Sequence, residues 1–122
     1  MDNFDDFTLI SAYSRQQAID DGVLVDVSAQ VRETGILLPT VLTAHLHQVL
    51  EDIPEESWGQ DYRGRLHDVL WMTFLKLKSF GAKMISAVEF PVEMQVIIDG
   101  RTHQLWIVVD GDGLTIMYPE DY

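Results

Sequence analysis

The chain of 122 residues contains no cysteine. That excludes disulfides, thiolate nucleophiles and every metal site that depends on a sulfur ligand. Positive charge is scarce: 8 Lys and Arg stand against 20 Asp and Glu, a formal charge of −12. A protein that grips a nucleic-acid backbone neutralises phosphates with basic groups, and few are on offer here. Direct nucleic-acid binding and attachment to an anionic membrane are therefore disfavoured. No apolar run approaches the ~18 residues that span a bilayer. The opening Met1-Asp2-Asn3-Phe4-Asp5-Asp6 is acidic where a secretory signal is basic, so the expected location is cytoplasmic. Nucleophile and phosphate-cradling signatures are missing as well: no Gly-x-Ser-x-Gly, no Walker loop and no Gly-x-Gly-x-x-Gly.

What remains is a chain that can fold. Hydrophobic residues make up 47%, enough for a core at this length, and one acidic α+β domain over 1–122 is expected. Residues 1–13 carry Phe4, Phe7, Leu9, Ile10 and Tyr13 among acids and read as an extended arm or short strand that packs through its aromatics. Ser14-Arg15-Gln16-Gln17 matches a capping box, and the short helix that follows should stop at Gly22. Val23–Val27 is too apolar for a loop and reads as buried and extended. Ser28 is placed to cap a second short helix closed by Gly35. From Thr40 the residues Leu42, Leu46, Val49, Leu50 and Ile53 form one helical stripe, ended by Pro54. Asp61 caps a long helix over roughly 62–79. Its apolar residues cover more than half its circumference, which predicts packing on several sides.

The last third reads as β-structure. Val88, Phe90, Val92, Met94, Val96 and Ile98 alternate with mostly polar residues, and Asp99-Gly100 is a two-residue type I′ hairpin signal. That turn pairs Ile98 with Arg101, Val96 with His103, Met94 with Leu105, Val92 with Ile107 and Phe90 with Val109. Asp110-Gly111-Asp112-Gly113 makes a second turn into a third strand bearing Leu114, Ile116 and Tyr118. The expected fold is an antiparallel sheet of about three strands, a C-terminal meander, with two main helices and short N-terminal helices on one face.

Chemistry-bearing patterns are thin. His45 and His47 lie about 200° apart around a helix and cannot share a metal. His47 with Glu51, and His67 with Asp68, read as polar pairs. Asp110-Gly111-Asp112-Gly113 lacks the later oxygen ligands of an EF-hand, with Leu114 and Asp121 at those places. No catalytic residue, metal or cofactor is expected. Arg65 stands four residues after Asp61 and three before Asp68, the spacing of a structural polar network on the first turns of the long helix. Partner-binding candidates are the acidic loop residues Glu51, Asp52, Glu55 and Glu56 with Trp58, the pair Asp20 and Asp21, and Trp106, which falls opposite Glu93 on the face away from the core.

Three segments carry a family resemblance. They are Tyr13-Ser14-Arg15-Gln16-Gln17-Ala18-Ile19-Asp20-Asp21-Gly22-Val23-Leu24-Val25-Asp26-Val27, then Gln60-Asp61-Tyr62-Arg63-Gly64-Arg65-Leu66-His67-Asp68-Val69-Leu70-Trp71-Met72, then Thr115-Ile116-Met117-Tyr118-Pro119-Glu120-Asp121. With Val31-Arg32-Glu33-Thr34-Gly35 ahead of Pro39, the chain resembles the bacterial family named domain of unknown function 6573. His67 stands where Trp is expected of that family, and the middle of the chain is shorter. The resemblance implies a protein of plasmids, phages or conjugative elements and brings no catalytic residue with it. By analogy with small acidic proteins in that setting, it implies an inhibitor of host nucleic-acid-handling or defence complexes, of the anti-CRISPR or anti-restriction type.

Together these readings lead to a non-enzymatic interaction protein that binds a basic protein surface. A small-molecule-binding domain or small enzyme built on Arg15, Asp61, Arg65 and Asp68 is the first alternative, and it requires a pocket of about 300 Å³ or more lined by them. The second is an oligomeric scaffold that uses the exposed edge of the first meander strand.

Overall fold

In the computed structural model, residues 15–53, 61–80 and 91–122 are described. The arm over 1–13, the Ser14 end of the capping box, the loop residues Glu55, Glu56 and Trp58, and the Phe90–Val109 pair lie outside them. A helix over residues 15–20 (α1) opens the described chain and leads through Gly22 into strand β1, Leu24–Asp26. Gly22 has the positive φ of 78° that the predicted helix stop requires. A one-turn helix α2, Ser28–Val31, runs into a 3₁₀ turn at Arg32–Thr34 that Gly35 closes at φ 102°. Strand β2, Thr40–Thr43, passes directly into helix α3, Ala44–Glu51. Helix α4 spans Tyr62–Phe80. The chain then forms β3, Val92–Ile98, β4, Arg101–Asp110, and β5, Gly113–Met117, and closes with a 3₁₀ turn at Pro119–Asp121.

The predicted meander is present, but as part of a larger sheet. Among the described residues five strands stand in the order β1-β2-β5-β4-β3, and the sheet is mixed because β2 runs parallel to β5 while the other pairs are antiparallel. The stretch after Gly22, read as buried and extended, is strand β1 over Leu24–Asp26, but it is not buried throughout: Val23 is exposed, Leu24 and Val25 are half-buried, and only Val27 is fully buried. The stretch from Thr40, read as the start of a helix, is strand β2. Leu42 does face the same core as Leu46 and Leu50, so a helical stripe drawn through it fits the burial and misplaces the backbone. Thr43 marks the true boundary: its extended backbone ends the strand, and its hydroxyl accepts from the Leu46 amide at 3.4 Å as the helix cap.

Hairpin register follows the sequence pattern: Ile98 faces Arg101, Val96 His103, Met94 Leu105 and Val92 Ile107. Positive φ at both Asp99 (53°) and Gly100 (74°) gives the type I′ turn. On β3 the alternation is complete, with Val92, Met94, Val96 and Ile98 buried and Glu93, Gln95 and Ile97 exposed. Among the described strands β3 stands at the edge, as Pro91 at its start suggests.

The main core lies on one face of the sheet. There Leu105, Ile107, Val109, Leu114 and Ile116 meet Leu46 and Leu50 of α3 and Leu66, Val69 and Leu70 of α4. The second face is not bare: Val41 and Met117 are buried on it, and the Arg15 guanidinium reaches Thr115 Oγ1 at 3.4 Å and the Leu114 carbonyl at 3.5 Å. Gly113 permits a close approach to the backbone of Pro39. It has φ 129°, a Cβ there would fall 2.1 Å from the Pro39 carbonyl oxygen, and the neighbouring Leu114 amide donates to that oxygen at 2.8 Å.

Ser28, expected as a helix cap, sits one place inside the helix. The Asp26 carboxylate accepts from its amide at 2.9 Å, while its hydroxyl accepts from the Thr40 amide at 2.9 Å. Hydrogen bonding from Ser28, its side chain foremost and then its amide, holds the Asp26 carboxyl below its ordinary range. Helix α4 also departs from expectation. Trp71, Met72 and Leu75 remain 42%, 38% and 41% exposed, so the packing around it is less complete than its apolar content predicts.

Candidate functional site: an acidic groove at the start of the long helix

Asp61 sets the site's local geometry. Its carboxylate accepts from the Gly64 amide at 2.6 Å, and its carbonyl accepts from the Arg65 amide, which starts α4 as predicted. The first turns of α4 then lie between α2 on one side and the β3–β4 turn on the other. Between them opens a groove of about 1030 Å³. Its lining carries the carboxylates Glu33, Asp61, Asp68 and Asp99, the cations Arg63 and Arg65, and His67, over an apolar floor that includes Leu66, Leu70 and Ile98.

Arg65 is only 6% exposed, and the structure shows how its charge is held. Nη1 donates to the Val49 carbonyl at 3.2 Å and to the Asp52 carbonyl at 3.1 Å, while Nη2 lies 3.8 Å from Asp99 Oδ1. The guanidinium thereby satisfies the carbonyl end of α3 and ties both helices to the hairpin turn. Asp61 and Asp68, the sequence partners of Arg65, have other contacts: Asp61 caps the helix, and Asp68 lies 4.0 Å from His67 Nδ1. Arg15 does not line the groove; its hydrogen bonds are to β5. Glu33 and Asp99 were not singled out in the sequence. Asp99 reads there simply as a turn residue, and only the fold brings it to Arg65.

The remaining partner candidates sit on other elements. Asp20 and Asp21 end α1, where they accept from Gln16 and Gln17 at 3.0 and 2.7 Å. Glu51 Oε1 lies 2.7 Å from His47 Nε2, and His47 Nδ1 lies 2.8 Å from the Tyr62 hydroxyl, a chain that links α3 to α4. The Asp52 side chain is exposed, and its carbonyl accepts from Arg65. Trp106 faces Glu93 as predicted and is half-buried, with Tyr122 edge-on at 5.6 Å; among the described residues its buried Nε1–H has no acceptor.

A second polar cluster escaped sequence reading altogether. Asp121 accepts from the Thr43 hydroxyl at 2.8 Å, from the Tyr118 amide at 3.1 Å and from His45 Nδ1 at 3.0 Å. The His45 ring packs 4.4 Å from the Tyr118 ring, whose hydroxyl meets His103 Nδ1 at 2.8 Å. Burial pushes the Tyr118 phenol upward, with Glu120 and Asp121 adding to the shift, so the phenol stays neutral. Burial likewise acts to raise Asp121, but the bonds from Thr43, His45 and Tyr118 outweigh it and hold that carboxyl below its ordinary range. The cluster fastens the chain's last turn to the β2–α3 junction. Among the described residues, no group of three or more His, Cys, Asp or Glu is placed to hold a metal, and no helix is long and apolar enough to cross a membrane. No protein-family model, no curated protein and no solved structure matches the chain.

Proposed function

We propose that the chain is a non-enzymatic acidic interaction protein that receives a cationic segment of a partner protein in the groove at the start of α4. The supporting observation is the convergence of Glu33, Asp61, Asp68 and Asp99 on that groove, where the deeply buried cation Arg65 is already engaged by carbonyls and by Asp99. Carboxylates around a concave apolar floor suit an arginine or lysine side chain, which has an apolar stem and a charged tip. The net charge of −12 adds long-range attraction to any basic surface. On the resemblance to family 6573, the partner is a host nucleic-acid-handling or defence complex whose basic channel the protein occupies.

The test is binding of an arginine-rich model peptide, followed by fluorescence anisotropy. Affinity is expected to fall at least about tenfold between low and high salt. Combined Glu33→Gln, Asp68→Asn and Asp99→Asn should weaken it at low salt, while Asp20→Asn with Asp21→Asn should leave most of it. Binding that ignores salt, or that the groove variants retain in full, overturns the reading. The groove's volume also favours a small-molecule reading, with Asp61, Arg65 and Asp68 in its lining and Arg15 elsewhere. A small polyamine that stabilises the fold as strongly as the peptide does would favour that second reading.

A further inference from the structure

The sheet offers a free edge beside the groove. Among the described strands its two edges are β1, three residues long, and β3, seven residues long. The hairpin register fixes which backbone groups of β3 face outward. Ile98 and Arg101 flank the two-residue turn and exchange hydrogen bonds, so Val96, Met94 and Val92 also turn their N–H and C=O toward β4. Glu93, Gln95 and Ile97 turn theirs away from it, and among the described residues no backbone group pairs with them. All three side chains are exposed as well.

Ile97 departs from the pattern that protects such an edge. Charge and proline discourage pairing at an open strand, and Pro91 and Glu93 supply both at the start of β3. At the far end stands a β-branched apolar side chain that is 68% exposed. Ile97 and Asp99 both line the groove, and α4, whose first turns carry Asp61 and Asp68, packs against β3. Open backbone, apolar side chain and groove carboxylates therefore meet at the last residues of β3. A second copy of the chain would bring a further −12 to this edge, whereas a cationic segment matches its charge.

We infer, resting on the groove as the site of a cationic segment, that this segment binds as a strand added to the free edge of β3 at Gln95 and Ile97. Its main chain bonds to the outward N–H and C=O of those two residues. Side chains of a strand alternate between the two faces of a sheet. One set lies beside Ile97 and is apolar. The other set, with members about 6.6 Å apart, is basic and reaches the groove carboxylates. The partner's sequence class is thus basic and apolar residues in alternation, with main-chain bonds giving affinity and alternate side chains giving specificity.

Two arginine–valine peptides of one composition test this, one alternating and one with the residues in two blocks. Their charge is equal, so long-range attraction is equal, and the alternating peptide should bind about tenfold more tightly. N-methylation of the alternating peptide, one amide at a time, should cost about fivefold at every second position and little between, because alternate amides face β3. Amide exchange followed by NMR should slow at Gln95 and Ile97 on binding, with little change at Val96, which β4 already holds. Ile97→Ser, at an exposed position, should keep the fold, weaken the alternating peptide and leave the block peptide unchanged. If the alternating peptide binds and loses affinity in the Glu33→Gln, Asp68→Asn, Asp99→Asn variant, yet methylation has no period of two and neither amide slows, the added strand is overturned and the groove stands. No binding by either peptide, or binding that the groove variant retains in full, overturns the groove reading and the added strand together. Slowing of the Gln95 and Ile97 amides as protein concentration rises, with no peptide present, assigns the edge to a second copy and also overturns the inference.

Discussion

Asp121 shows how much one carboxylate can organise. It is near the end of the chain, yet it accepts from a strand-ending hydroxyl, a backbone amide and an imidazole. Its side chain is 16% exposed, so these bonds work with limited competition from water. Charged hydrogen bonds of this kind are each worth about 1.5–3 kcal/mol, and part of that is offset by the burial that opposes ionisation. Asp121→Ala is therefore expected to lower stability at neutral pH by about 1–3 kcal/mol in a urea titration. The sign of the pH dependence follows from the lowered folded-state pKa. The contribution is complete above the unfolded carboxylate value of about 4 and is lost as pH falls through the lower folded value. Stability of the variant and of the parent should converge in acid. A gap that stays constant down to strongly acidic pH would assign the loss to packing instead of to the carboxylate's bonds.

Elements were legible in the sequence where one local signal dominated. Asp99-Gly100 fixed the hairpin, and with it every cross-strand pair from Val92–Ile107 to Ile98–Arg101. Asp61 fixed the start of α4. Strand β2 was not legible, because Thr40–Thr43 is short and central, and its parallel partner β5 lies some seventy residues on in the chain. The groove shares that obscurity: Asp61, Arg65 and Asp68 are neighbours in sequence, but Glu33 and Asp99 arrive from distant elements. Arg65 joins these elements, and its removal strands the carbonyls of Val49 and Asp52 at the end of α3. Arg65→Ala should cost about 2–4 kcal/mol by thermal or chemical unfolding, and Arg65→Lys should recover only part of it. A lysine cannot reproduce the guanidinium's fork of donors toward two carbonyls and Asp99. Full rescue by lysine would mean that charge alone, not geometry, holds the junction.

At the scale of the molecule, the dominant quantity is the charge of −12. Described carboxylates sit on many elements: Asp20 and Asp21 at the end of α1, Glu51 and Asp52 at the end of α3, Glu93 on β3, Glu120 and Asp121 in the final turn. Only at the groove do several of them converge from separate elements. Like charge spread in this way destabilises the compact state, because unfolding moves the carboxylates apart. Screening should relieve that repulsion even in a monomer. With protein held near 1 µM, where self-association is negligible, raising salt from 0.01 M to 0.5 M should lift the thermal midpoint by several degrees, roughly the effect of 1–2 kcal/mol in a domain of this size. Chloride and fluoride salts of sodium should act alike, since the mechanism is screening and not ion binding. The salt gain should also shrink in the Glu33→Gln, Asp68→Asn, Asp99→Asn variant by more than in the Asp20→Asn, Asp21→Asn variant, because close carboxylates repel more strongly than distant ones. Equal shrinkage in the two variants would show that the groove carboxylates feel one another no more than those of α1 do, and the electrostatic case for the groove would fail with it.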